Sequence, residues 1–171
     1  MAIQILLGAV FLIFIVMVIL AISHSKKPFN ELGGWLYFFW IGLVCATILN
    51  AVVIIFIYMV FEQTKQVLGP KEYISLITLF ITAIFSLIMA KTLSIKDVHT
   101  PEKYIFIFQI WIILMLLSNL LTMYFSQKDM LSLLLNSAAT VFGFLFQKKY
   151  FTVSKRVKVY YGIGEVIDEN V

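Results

Sequence analysis

The chain is poor in the residues that build catalytic and metal centres. It has a single cysteine, Cys45, inside an apolar run. No intrachain disulfide can form, and no cysteine cluster exists for zinc or an iron–sulfur centre. Only 13% of its 171 residues are charged, against about a quarter in soluble domains. Three prolines and eight glycines fall mostly between apolar stretches. There is no His-Glu-x-x-His site, no Gly-x-Ser-x-Gly elbow and no phosphate-cradling glycine loop. Gly162-x-Gly164 lacks the third glycine and the strand–helix setting of a dinucleotide site. No soluble enzyme, disulfide scaffold or disordered chain fits these deficits.

What is present is apolar: 62% of the residues are hydrophobic. A soluble domain of this size could not hide that much apolar surface. Five stretches contain no Asp, Glu, Lys, Arg or His: Ala2–Ile22, Trp35–Phe61, Tyr73–Ala90, Tyr104–Phe125 and Met130–Phe146. About 20 apolar residues span a bilayer core as a helix. None of the stretches shows the two-residue alternation of barrel strands. The expected fold is therefore an all-α integral membrane protein. It is a bundle of five transmembrane helices followed by a basic amphipathic interfacial helix at the C-terminus.

The breaks carry helix-stopping residues. Ser23–Pro28 closes the first stretch, Gly33-Gly34 precedes the second, and Gly69-Pro70 precedes the third. Thr100 is the expected N-cap of the fourth, with Pro101 at its first helical position. The break at Ser126–Asp129 is short enough to make the last two spans an antiparallel hairpin. The organisation read from this is an additional N-terminal helix and loop (1–30), a four-helix unit (31–147), and a cytoplasmic basic segment with an acidic tail (148–171).

Lysine and arginine set orientation. Lys26, Lys27, Lys91, Lys96, Lys103, Lys148, Lys149, Lys155, Arg156 and Lys158 fall on one side. Lys65, Lys71 and Lys128 fall on the other. The N-terminus is thus expected outside and the C-terminus in the cytoplasm. Trp35, Trp40 and Trp111 lie toward the cytoplasmic face, and Tyr58, Tyr73 and Tyr124 toward the opposite one, as interfacial aromatic belts do. The first stretch has no basic leader and is too apolar in length for a signal peptide, so it is expected to be retained. The net charge of +4 reflects basic cytoplasmic loops, and nucleic acid is not an expected partner.

After the last span, Phe146, Tyr150, Val153, Val157, Tyr160 and Tyr161 recur at three- and four-residue spacing. They predict one apolar stripe on a helix continuous with the span. Phe151 and Val159 fall off that stripe. Lys148, Lys149, Lys155, Arg156 and Lys158 lie around the other side, as candidate contacts to anionic lipid headgroups.

Gly33-Gly34-Trp35-Leu36 and Ser154-Lys155-Arg156-Val157-Lys158 resemble the signature of an uncharacterised bacterial inner-membrane family, domain of unknown function 2569. The resemblance covers about Glu31 to Tyr160 and makes the first span an addition to a four-helix pattern. It implies a location in the bacterial cytoplasmic membrane, with both ends of the four-span unit inside. It implies no activity.

No ionisable residue lies within the stretches. Such residues mark proton relays and ion paths, so a proton-coupled exporter, a voltage sensor and an intramembrane metalloprotease are not expected. Asparagines form the polar level instead. Asn50 and Asn119 lie about 22 Å from the cytoplasmic side, and Asn136 about 21 Å, at 1.5 Å per residue. Ser118, Ser137 and Thr78 lie near that depth. Such a level either sets helix register by hydrogen bonds or lines a polar path. Gly42-x-x-x-Ala46 and Ala139-x-x-x-Gly143 are small-residue pairs suited to close helix packing. Asp97-x-His99-x-x-Glu102 is the one cluster of acid–base residue types, and its loop setting suits a solvated turn.

No catalytic, cofactor or metal site is expected. The leading functional reading is a non-enzymatic accessory or interaction subunit that binds lipid and a membrane protein partner, or forms a homo-oligomer. An immunity protein against a membrane toxin is one version of it. The alternatives are a small carrier or channel at the asparagine level, and a lipid-headgroup enzyme using Asp97–Glu102.

Overall fold

The computed structural model describes residues 15–20, 22–24, 26, 28, 31–64, 69–126 and 130–163. Every regular element among them is helical. The long helices are α1 (Gly34–Thr64), α2 (Pro70–Ser94), α3 (Thr100–Ser126) and α4 (Met130–Val153). A short helix, α5 (Lys155–Tyr161), follows. Residues 15–20 and 22–24 are helical as well. The rest of the first expected span lies outside the described residues. Three helices, within α1, α2 and α3, are long and apolar enough to cross a membrane. The chain therefore has the make-up of an all-helical membrane protein.

Helices adjacent in sequence pack against each other: α1 on α2, α2 on α3 and α3 on α4. Short connections force neighbours antiparallel, and the cross-links agree. Trp40, early in α1, donates its indole N–H to Ser94, the last residue of α2, at 2.8 Å. The Tyr104 hydroxyl, early in α3, donates to Gln147, late in α4, at 2.6 Å. We call this shared end the basal end. Tyr58, Tyr73 and Tyr124 lie exposed toward the opposite, distal end.

The core gathers at the basal end. Leu36 and Phe39 of α1, Met89 and Leu93 of α2, Tyr104 and Phe108 of α3, Phe151 of α4, and Val157, Tyr160 and Tyr161 of α5 form one buried cluster. Farther along the helices, Phe56, Phe80, Ile113 and Phe142 stay exposed. This division is the one a membrane setting would produce. Lipid tails are as apolar as leucine, so spans gain no hydrophobic drive toward each other. Only where the chain meets water does burial of apolar area stabilise.

Two local features differ from the sequence expectation. Thr100 does not cap α3 in the usual sense. Its hydroxyl donates to the Ile95 carbonyl at 2.9 Å. Asp97 makes the turn, accepting the His99 N–H on its carboxylate at 3.3 Å and the Thr100 N–H on its carbonyl at 2.9 Å. α3 starts at Thr100, so Pro101 lies one residue further inside its first turn.

The second difference is larger. The expected helix continuous from span to tail is broken at Ser154, which is extended (φ −64°, ψ 123°). The break resets the helical phase. Phe151, expected off the stripe, is buried, while Val153, expected on it, is 66% exposed. Downstream, Val157, Tyr160 and Tyr161 are buried as the stripe predicts. α5 folds onto the bundle: the Tyr161 hydroxyl donates to the Leu93 carbonyl at 2.9 Å. Lys96 sits over the Tyr160 ring, 4.8 Å from its centroid. Gly162, at φ +70°, ends α5, and the Ile163 N–H closes back on Lys158 at 2.7 Å.

Candidate functional site

The two sequence motifs that are 120 residues apart meet at the basal end. Arg156, on α5, lies against Gly33 and Gly34 at the start of α1. Its guanidinium donates to the Pro28 carbonyl at 3.5 Å. The His24 and Tyr37 rings stack with centroids 4.1 Å apart, which ties residues 22–24 to α1. Gly34 takes φ +57°, a conformation suited to glycine. A Cβ on Gly33 would collide with the His24 carbonyl oxygen and the Arg156 guanidinium.

Arg156 thereby departs from the other four expected lipid contacts. It is buried, while Lys148, Lys149, Lys155 and Lys158 are exposed. One signal in the sequence pointed to this. Arg156 is the single arginine in the chain. A planar group with five donors suits a buried junction better than an ammonium does. Burial also pushes the Tyr160 and Tyr161 hydroxyls up from their ordinary range, so both stay protonated.

The polar level resolves into pairs. Thr78 of α2 and Ser118 of α3 join their hydroxyls. Asn119 of α3 donates its amide to Ser137 of α4 at 3.1 Å. Ser118 and Asn119 are consecutive, so α3 bonds to both neighbours from one level. The three asparagines do not converge. Asn50 is half-buried on α1, and Asn136 is exposed on α4. The hydroxyls of Thr47, Thr78, Thr82, Thr122 and Thr140 donate to the carbonyl four residues earlier. The buried Trp111 indole N–H has no partner among the described residues.

A groove of about 340 Å³ between α1 and α2 is wholly apolar. Ile54, Tyr58, Phe61, Leu76, Ile77 and Phe80 line it, and none of the asparagines does. Of the small-residue pairs, Gly42 lies against the Met17 side chain. No described atom comes within 4 Å of a Cβ placed on Gly143.

In the Asp97–Glu102 break His99 and Glu102 are exposed and Asp97 is half-buried, while Thr100 and Pro101 are buried. Lys103 donates to Asp97 at 3.0 Å, and His99 faces Glu102 at 3.7 Å. Among the described residues no three His, Cys, Asp or Glu gather as a metal site. The hydrogen bond from Lys103, then that from the His99 N–H, holds the Asp97 carboxyl below its ordinary 3.8. A depressed carboxyl stabilises the fold above the unfolded value, and that contribution is lost as pH falls through the folded one. Lys103→Met is therefore expected to raise the Asp97 pKa toward 3.8, as read by carboxyl NMR titration between pH 2 and 5. An unchanged titration would show that the lysine contact is not formed in solution.

Fold and sites together define a helical protein with three helices able to cross a membrane and a packed, basic basal end. No family model matches the chain, and neither the curated proteins nor the solved structures give a match.

Proposed function

We propose that this chain is a non-enzymatic accessory or interaction subunit of a bacterial cytoplasmic membrane. In this reading it spans the bilayer five times, with the N-terminus outside and the basal end in the cytoplasm. The lysine distribution supports that orientation. The charge-free run Met130–Phe146 inside α4 supports a further span, at the short end of the bilayer requirement. The exposed lysines of the basal end face anionic headgroups.

One observation carries the interaction role. Asn136 is exposed on α4, on the helix face it shares with Ala139 and Gly143, three and seven residues further on. An amide facing hydrocarbon is unfavourable unless it finds a hydrogen-bond partner. A transmembrane helix of a partner protein would supply one, and Ala139 and Gly143 on the same helix favour close approach. The pairing of Thr78 with Ser118 and of Asn119 with Ser137 favours this reading over a carrier. Those groups bond to each other rather than lining a path.

The test is affinity purification in native lipid. A co-purifying membrane protein is expected with the parent chain and lost with Asn136→Leu, while thermal unfolding stays unchanged. A strictly monomeric, partner-free parent would overturn the reading.

A further inference from the structure

We infer that the basal end carries one discrete seat for the headgroup of an anionic phospholipid, formed by Trp35, Phe146, Lys149 and Val153. The inference rests on the membrane placement of α4 argued above. It narrows a diffuse basic face to one site.

The seat is built across two helices. Phe146, Lys149 and Val153 are three and four residues apart, so they share one strip of α4. Phe146 is 49% exposed and Val153 66%. Trp35, at the start of α1 and 55% exposed, lies edge-on to Phe146 with centroids 6.1 Å apart. Lys149 is exposed between these apolar groups. Above Phe146 the outward face of α4 is entirely apolar through Phe142 and Leu145. The first cation on that strip marks the depth where hydrocarbon gives way to headgroups.

An ammonium at that depth donates to a lipid phosphate, and an indole N–H at the same level is a second donor. The flanking Phe146 and Val153 meet the upper acyl chain. This combination favours a lipid over a soluble phosphate, which could not cover the two apolar side chains. The remaining basic residues are placed differently. Lys148 is drawn over the Phe144 ring, 6.0 Å from its centroid. Arg156 is buried, and Lys155 and Lys158 belong to α5.

The test uses the full chain in nanodiscs of equal phosphatidylglycerol and phosphatidylcholine, with retained lipid counted by native mass spectrometry. Lys149→Gln is expected to lower retained phosphatidylglycerol about fivefold, the effect of one juxtamembrane cation. Lys149→Arg is expected to leave it unchanged, Lys158→Gln to lower it less than Lys149→Gln does, and phosphatidylcholine retention should not move. Soluble glycerophosphate is expected to displace nothing. Equal retention by Lys149→Gln, a parallel loss of both lipids, or displacement by glycerophosphate would each overturn the seat. Partner co-purification is expected to survive Lys149→Gln, so failure of the seat and failure of the interaction role read out separately.

Discussion

Leu93→Ala is expected to destabilise the protein by about 2–5 kcal/mol, the range for truncating a leucine in a packed core. Leu145→Ala, the same chemical change, is expected to cost no more than about 0.5 kcal/mol, as surface substitutions do. Leu93 is fully buried within the basal cluster, while Leu145 on α4 is 55% exposed. Truncating Leu93 opens a cavity beside Tyr104, Val157 and Tyr161, all members of that cluster. It also loosens the last turn of α2, whose Leu93 carbonyl accepts the Tyr161 hydroxyl. Truncating Leu145 on a face bathed in lipid or detergent leaves no cavity, because the solvent fills the space. Thermal unfolding of both variants in the same detergent checks the contrast. Equal losses would mean that stability is spread along the spans rather than concentrated at the basal end.

The long helices were legible because charge-free runs have one stable form in hydrocarbon. The expected Trp35–Phe61, Tyr73–Ala90 and Tyr104–Phe125 lie inside α1, α2 and α3, which run past them by up to a turn at each end. Backbone hydrogen bonding does not stop where the apolar run stops. Counting helical rise from the ends of the runs also gave relative heights along neighbouring helices. That arithmetic put Thr78, Ser118, Asn119 and Ser137 at one level, and they pair there. Height says nothing about which way a side chain faces around the helix, so the outward direction of Asn136 was not legible. The break at Ser154 was hidden for a different reason. No proline or glycine marks it, and its cause is tertiary. α5 must turn back to bring Tyr161 onto Leu93 and Arg156 onto Gly33. The burial of Arg156 follows from that turn.

Gly33→Ala is expected to cost about 1–3 kcal/mol, the usual penalty for forcing a methyl group into filled space. The added Cβ would meet two obstacles of different stiffness. The Arg156 guanidinium is the end of a flexible side chain and can retreat at the expense of its bond to the Pro28 carbonyl. The His24 carbonyl is backbone, and the His24 ring is stacked on Tyr37, so it cannot retreat without disturbing that stack. Adding Arg156→Ala to Gly33→Ala should therefore relieve only part of the penalty. Gly34→Ala separates a second effect. The nearest Arg156 atoms stand 3.6–4.0 Å from its added Cβ, an ordinary contact. Its expected cost of about 1–2 kcal/mol comes from the left-handed backbone at φ +57° alone, and Arg156→Ala should not relieve it. Thermal unfolding of the single and double variants gives the comparison. If Gly33→Ala were neutral, the His24 carbonyl would not be where the junction requires it. Arg156 would then have no fixed socket, and the link between the first loop and the C-terminal helix would fail with it.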